Sequence, residues 1–385
     1  MDELEKNNPV VHESIKDGRF LREKMHDISV WLKEDLKGLK TNPKKTRFRA
    51  EIKNAQSQYY MCDFGQEGLA SPLDPKIKYY GVESDHSSIF RSAIQPILFQ
   101  VRSRIFSDNP DERETQELPE MCERGIIYKN GDDLRQDQLV LVLFKLMDIL
   151  LKEVNLDFKF TIYKCIAVTK EVGFMECVPS SETIQQVQLE CDYNLHAYLT
   201  GLTDDEQAKS QIFQNYLLSC AGYGVATYLL AIGDRHLENL MLIKDGKDAG
   251  KMWHLDFGYI LGKNPKGKGF NVPHIRINKP MVTGLGGINS PGYREFVSKT
   301  IDAFLYLRNH RNLIMNLMSL MIDSSIENLP KQEAERLLSQ MNDRFLPNLS
   351  NEQARKQFEK IIYDSVNNSF AETMELAHRF VGFFK

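Results

Sequence analysis

One run of residues limits this chain more than any other. The apolar stretch YLLSCAGYGVATYLLAIG (216–233) ends at a glycine, and two short apolar patches follow, NLMLI (239–243) and KMWHL (251–255), each bordered by polar groups. Ser219, Tyr223, Thr227 and Tyr228 interrupt the long stretch and charge flanks it, so it reads as a buried helix rather than a membrane span. The pattern predicts a helix over 212–232 stopped by Gly233, a loop carrying Asp234, Arg235 and His236, and two strands joined by the turn KDGKDAG. Such a hairpin brings Asn239 and Asp256 together at its mouth. An amide and a carboxylate so placed suit a hard cation; magnesium takes one or two carboxylates with amide and phosphate oxygens. Phosphoryl transfer needs that positive charge, together with a polar residue to orient the attacking hydroxyl. Taken singly, Asp234 and Asp256 also read as turn caps and His236 as a hydrogen-bonded structural histidine.

The flanking sequence divides in two. At 385 residues, 42% hydrophobic and 26% charged, the chain is long enough for a large core and two lobes. Residues 1–60 carry Phe20, Met25, Ile28, Trp31 and Leu32 at helical spacing and read as bracing helices without visible chemistry. SPLDPKIKYYGV (71–82) is a proline-punctuated connector. From there to 178 the signals are mostly strand (AIQPILFQV, RGIIYKN, KFTIYKCIAVT, VGFMECV), with one long helix over 135–154. After the spacer PSSE (179–182) the pattern turns helical, with long segments at 293–322, 331–342 and 352–384. The expected fold is therefore α+β: a helical bracing segment (1–76), a small β-rich lobe (77–178) and a larger helical lobe (179–385). There is no internal repeat and no low-complexity tract.

Composition excludes other classes. A formal net charge of -4 argues against a nucleic-acid surface, so an anionic partner must be met locally. The six cysteines are scattered, with no C-x-x-C, which points to free thiols and an intracellular location. MDELEKNNPVVHESIKDGRF has no apolar core and is neither signal peptide nor anchor. GKNPKGKG (262–269) nearly spells a P-loop but has Gly269 where a hydroxyl must bind magnesium, and Pro265 inside it, so a P-loop is rejected.

A second anchor is IIYKNGDDLRQDQL (126–139). Lys129, on a strand, is an ammonium able to reach phosphate oxygens, with Asp132, Asp133 or Asp137 to orient it; a lone strand lysine is otherwise a solvated edge. With GDRHLEN and DFGYILG, this motif resembles the phosphatidylinositol 3- and 4-kinases, in which Asp-Arg-His reverses the His-Arg-Asp of protein kinases. The resemblance runs from about Pro72 to Lys385 and implies a two-lobed, protein-kinase-like fold. It also implies that Lys129 contacts the ATP phosphates and that Asp137 and Tyr163 line the inner nucleotide pocket. Arg91, Ser92 and Ala93 of IFRSAIQPILF would cover the phosphates, in keeping with the absence of any G-x-G-x-x-G. GFMECVPSS resembles the interlobe hinge, with Glu176 and Val178 offering backbone groups to adenine.

The segment from Asp256 to about Pro280 corresponds to the one that holds the inositol headgroup, and contains Lys263, Lys266, Lys268, His274 and Arg276. These read either as a solvated basic loop or as a site for a phosphate diester and an anionic membrane. The loop is similar to that of class III phosphatidylinositol 3-kinases of the vacuolar protein sorting type, which use unphosphorylated phosphatidylinositol. KGKGFNVPHIRI departs from their proline-rich centre, and its Gly-Phe is like the 4-kinases. SPLDPKIKYYGV and the tail are class III-like. In the tail, Phe380, Phe383 and Phe384 beside basic residues form a helix end suited to shallow membrane insertion or to packing on the helical lobe.

The expectation is thus an ATP-dependent lipid kinase making phosphatidylinositol 3-phosphate, with a phosphatidylinositol 4-kinase as the closest alternative. A related protein kinase and a non-catalytic scaffold are more distant ones. Asn239 and Asp256 would hold Mg2+, with Mn2+ as a substitute; His236 or Asp234 would take or orient the hydroxyl proton, and Arg235 would be structural. The resemblance further implies a peripheral cytoplasmic enzyme of endosomal or autophagic membranes, joined in the full-length protein by a regulatory scaffold subunit and autophagy-type adaptors. This chain has no room for the C2 domain and solenoid of class III enzymes, so it is expected to be a monomeric piece whose Met1 is not the native start.

Overall fold

The structure is a computed structural model that describes residues 8–107, 118–263, 275–321, 326 and 330–383, with side chains beyond Asn367 left out. Two compact units emerge: the chain up to Gln138 with Tyr163–Pro179, and Leu139–Ile162 with the chain from Ser180 onward.

The first unit is built on a seven-stranded antiparallel sheet. Its strands are β1 (Leu69–Ala70), β2 (Ile77–Val82), β3 (Ser88–Ile89), β4 (Ile97–Ile105), β5 (Cys122–Asn130), β6 (Cys165–Ala167) and β7 (Val172–Cys177), in the order β1-β2-β4-β5-β7-β6 with β3 on β4. β4 alternates buried and half-buried residues along its length, the pattern of a strand with one face on a core. That core is closed by two helices, α1 (Pro9–Glu34) and α2 (Thr41–Lys53). Leu21, Met25, Ile28 and Leu32 of α1 and Phe48 and Ile52 of α2 pack with Phe99, Ile126, Tyr128 and Phe174 of the sheet. The two helices of the segment read as bracing thus share one core with the strands. KFTIYKCIAVT is strand only from Cys165.

A long helix, α3 (Arg135–Lys152), begins in the first unit and continues in the second. The second unit contains β8 (Ser181–Thr183), α4 (Ile184–Glu190), α5 (Leu195–Gly201) and α6 (Glu206–Leu229). β9 (Leu240–Ile243) and β10 (Met252–His254) follow, then α7 (Lys279–Gly284), α8 (Pro291–Asn309), α9 (Arg311–Ser319), α10 (Ala334–Arg344) and α11 (Asn351–Phe383). Asp205 caps α6, its carboxylate accepting from Ala208 N at 2.7 Å. From Tyr216 to Leu229 every α6 residue except Leu218 is buried, as expected of a helix apolar on all sides. It stops at Leu229, three residues before the expected end. No helix among the described residues is long and apolar enough to cross a membrane.

Polar groups on α6 position the hairpin that follows. β9 pairs antiparallel with β10, Leu240 opposite His254, and with β8 on its other edge. Asn215 donates to Ala249 O at 2.8 Å, and Ser219 Oγ accepts from Met252 N at 2.9 Å. Gly250 (φ 86°) lies so close to α6 that a Cβ there would sit 2.2 Å from Ile212 O, so only glycine fits the turn. The single helix expected over 293–322 breaks at His310, between α8 and α9. Arg308 turns back there to donate to the carbonyls of Phe345, Leu346 and Leu349.

Candidate active site

The hairpin register carries Asn239 and Asp256 to the same end. Leu255 N donates to Asn239 O at 3.1 Å, which leaves Asp256 one residue beyond the last pairing. Asn239 is 4% exposed and donates its Nδ2 to Asp234 O at 2.9 Å, so its amide oxygen faces away from that bond. Asp256 is exposed, and one carboxylate oxygen accepts from Gly258 N at 3.2 Å. Beside it the Phe257 ring is fully buried and meets Phe144 edge-on at 5.3 Å, an apolar anchor next to an exposed carboxylate.

The loop between α6 and β9 is zipped to the segment after Asp256. Gly233 N donates to Tyr259 O at 2.8 Å, Leu261 N to Leu230 O at 3.0 Å and Gly262 N to Ala231 O at 2.9 Å. Arg235 completes the join: its guanidinium donates to Gly233 O and Leu255 O, both at 2.8 Å, and to Asp256 O, and it lies over the Phe257 ring. Arg235 is thus one planar fork that ties two loops by their carbonyls. Asp234 (φ 49°) and Asp256 (φ 59°) both adopt the left-handed region, which Asp tolerates better than most residues and which clusters at functional sites. His236 is exposed, and its carbonyl accepts from Asn239 N at 3.0 Å.

Behind this loop lies a histidine that motif reasoning passed over. His254 is 1% exposed, neither ring nitrogen has a hydrogen-bond partner among the described residues, and its ring stacks on Tyr223 at 4.6 Å. Burial, with Arg235 nearby, pushes its pKa well below the usual histidine range, so it is held neutral.

In the first unit, Lys129 pairs with Asp132 at 2.8 Å, one of the three carboxylates open from the sequence. Asp133 is taken by Arg135, with contacts of 2.8 and 3.1 Å from Nε and a shorter one from the guanidinium end. Asp137 is buried in the first turn of α3 near β6: the Cys165 thiol is pushed up to about 12 by burial, and the Asp137 charge adds to the shift. Tyr163 is buried as well. Arg91, Ser92 and Ala93 are exposed on a loop closed by Phe90 N to Pro96 O at 2.9 Å and by Gln95 N to Ser92 Oγ at 3.2 Å. The Glu176 N–H is already donated to Lys164 O at 2.8 Å, and Val178 is half-buried.

Two lysines escaped the sequence reading. Lys33 donates to Asn130 O at 2.6 Å, and Lys44 donates to Gln95 Oε1 at 3.0 Å. A signal for Lys44 existed: it stands in the same helical stripe as Phe48 and Ile52, where a lysine is out of place unless it has a partner.

Of the residues expected to meet lipid, Lys263 borders a cavity of about 650 Å3 closed by Arg336, Gln340 and Arg344 of α10. Arg276 donates to Ile232 O at 2.9 Å and so faces the catalytic-type loop. Lys266, Lys268, His274 and Phe384 lie outside the described residues, as do the side chains of Phe380 and Phe383.

Asn239 and Asp256 fit a divalent cation by donor chemistry, since both present hard oxygen ligands with no cation paired to Asp256 among the described residues. Among those residues no group of three or more His, Cys, Asp or Glu converges. A site of two protein donors matches a metal that draws its other ligands from phosphate and water.

A sheet unit presenting a lysine strand, and a helical unit presenting an Asp-Arg-His loop and a strand-end Asp-Phe-Gly, define an α+β protein of kinase-like fold. A family model described as phosphatidylinositol 3- and 4-kinase matches residues 123–330, more than half of the chain. The chain belongs to that family. It is similar to phosphatidylinositol 3-kinase pik3 of Schizosaccharomyces pombe, 37% identical over 335 residues, which cover 85% of this chain and 39% of that protein. Phosphatidylinositol 3-kinase VPS34 of Arabidopsis thaliana is 35% identical over 324 residues, 83% of this chain and 37% of its own. The phosphatidylinositol 3-kinase catalytic subunit type 3 of Caenorhabditis elegans is 33% identical over 345 residues, 88% and 36%. The chain thus spans less than two-fifths of the length of these relatives.

Proposed function

We propose that this chain transfers the γ-phosphoryl group of ATP to the 3-hydroxyl of phosphatidylinositol, acting at the surface of endosomal or autophagic membranes. The observation that carries the reading is the hairpin register that sets a buried amide, Asn239, beside an exposed carboxylate, Asp256, with Arg235 locking the Asp234–His236 loop against them. The choice of the 3 position draws support from the names of the relatives.

Asn239 Oδ1 and the Asp256 carboxylate would hold Mg2+, or Mn2+ in its place. The metal, when bound, spreads the negative charge of the transferred group. Lys129 would exchange its Asp132 partner for phosphate oxygens, a swap of one anion for another that leaves the ammonium paired throughout. The exposed Arg91–Ala93 loop would cover the phosphates, with Asp137 and Tyr163 forming the inner wall and the Glu176–Val178 backbone meeting adenine. Asp234 or His236 would take or orient the proton of the attacking hydroxyl. Lys263, with Lys266 and Lys268, would meet the headgroup; the Phe380–Phe384 end would meet the membrane. A scaffold subunit would join it, as the sequence resemblance implies.

The test is ATP-dependent phosphorylation of liposomes containing phosphatidylinositol, its 4-phosphate or its 4,5-bisphosphate, with the ring position of each product resolved chromatographically. Product from phosphatidylinositol alone, at the 3 position, is expected. Product at the 4 position would make the chain a 4-kinase and overturn the reading.

A further inference from the structure

The helices α1 and α2 read from sequence as mere braces, yet each sends a cation to one of the two segments that the proposed function assigns to the ATP phosphates. Residues 26, 29 and 33 of α1 fall on one helical face. The His26 ring meets Tyr128 OH at 3.1 Å, Ser29 Oγ accepts from Asn130 Nδ2 at 3.3 Å, and Lys33 donates to Asn130 O at 2.6 Å. All three contacts fall on the end of β5 around Lys129. The next residue, Gly131, turns at φ 90°, and a Cβ there would meet Lys33 Nζ at 3.8 Å and Ile94 Cγ2 at 3.9 Å. The phosphate-covering loop and the Lys129 turn therefore approach each other beside the Lys33 ammonium.

Lys44 holds that loop directly. It is 3% exposed, and it bonds Gln95, a non-glycine residue at φ 50° whose N–H returns to Ser92. Burial lowers the pKa of both lysines, so each carries a desolvation cost that an apolar side chain at the same position would avoid. An apolar brace would hold the helix; it would not fix a carbonyl or an amide oxygen in one place.

We propose that Lys33 and Lys44 are positioning residues for the ATP phosphates, Lys33 fixing the Asn130–Gly131 turn at the root of Lys129 and Lys44 fixing the Ser92–Gln95 loop. The proposal rests on the reading of Lys129 and that loop as phosphate-binding. It makes α1 and α2 part of the nucleotide site, so anything that moves either helix alters affinity for ATP.

The test is equilibrium binding of ATP and of adenosine, each with magnesium, by displacement of a fluorescent ATP analogue from the whole chain. Lys33→Met and Lys44→Met are expected to weaken ATP about tenfold, the worth of one charge-assisted hydrogen bond, and to leave adenosine within about twofold. Lys33→Arg, which can still donate to the carbonyl, recovers most of the loss. Gln95→Asn, too short to reach Lys44 yet tolerant of the left-handed backbone, reproduces Lys44→Met without removing a charge. Lys37→Met, on the exposed end after α1, changes neither ligand. Equal losses of ATP and adenosine would reduce the two lysines to structural braces and overturn the proposal, as would unchanged ATP binding. Lys129→Met separates the two levels. If it weakens ATP while the Lys33 and Lys44 variants do not, this inference alone fails; if it leaves ATP unaffected, the phosphate-binding reading fails and the inference with it.

Discussion

The candidate residues of the first unit and those of the second are held in place by different means. In the first unit, charged side chains do most of the holding: Lys129 with Asp132, Asp133 with Arg135, Lys44 with Gln95 and Lys33 with the Asn130 carbonyl. In the second, three carbonyl–amide bonds and an arginine that donates to three carbonyls tie the loops, while the Asp256 carboxylate meets no cation among the described residues. Under the proposed function, the difference follows from what each group of residues would meet. A lysine awaiting phosphate can rest on a carboxylate, because one anion replaces another. A carboxylate awaiting a cation is better left open, so the backbone has to do the positioning instead.

The largest effect expected from that contrast is at Asp256. Asp256→Asn is the cleanest change, because asparagine accepts the left-handed backbone that alanine would resist. Transfer to phosphatidylinositol should fall roughly a thousandfold or more, the scale of losing a directly placed electrostatic group. The thermal midpoint should stay where it is, since no ion pair is broken. A variant that keeps substantial turnover would remove Asp256 from the metal and break the comparison at its centre.

Next in size is Arg235→Lys. Lysine keeps the charge but cannot span the carbonyls of Gly233, Leu255 and Asp256 at once. Turnover should drop about 10- to 100-fold, as expected when a reacting geometry loosens by an ångström, and stability by about 1–3 kcal/mol. Steady-state kinetics and thermal unfolding together check this. Loss of stability without loss of turnover would show that the loop needs no lock.

The residues of the second unit were the more legible in sequence, and the reason is local. Asn239 and Asp256 flank a hairpin whose turn residues announce it, so their meeting follows from a short range of chain. The helix break at His310 was not legible, because nothing in RNHRN forbids a helix; Arg308 is drawn aside by carbonyls at Phe345–Leu349, far along the chain. The lysines of α1 and α2 were hidden for the same reason: their acceptors, Asn130 and Gln95, lie 97 and 51 residues away. Left-handed Asp234 and Asp256 were likewise invisible, since a backbone angle imposed by two zipped loops leaves no mark on residue type.

The smallest effect sharpens the contrast by its sign with pH. The Arg135 hydrogen bond is the main cause that holds the Asp133 pKa below the ordinary carboxylate range. With the folded pKa depressed, the unfolded chain takes up protons first as the pH falls. The stabilisation from Asp133 is therefore complete above about 3.9, the value for an unfolded aspartate, and is lost as the pH falls through the lower folded value. Asp133 and Arg135 are both partly open to solvent, at 35% and 24% side-chain exposure, so screening keeps the pair below about 1 kcal/mol. Asp133→Asn should lower the urea midpoint slightly at pH 7, and the gap from the parent protein should close below pH 4. Asp256→Asn should leave the urea midpoint at pH 7 where it is, since no cation pairs with Asp256 among the described residues. A loss as large as that of Asp133→Asn would mean that Asp256 has a cationic partner, and that the two groups of residues are held by one rule rather than two.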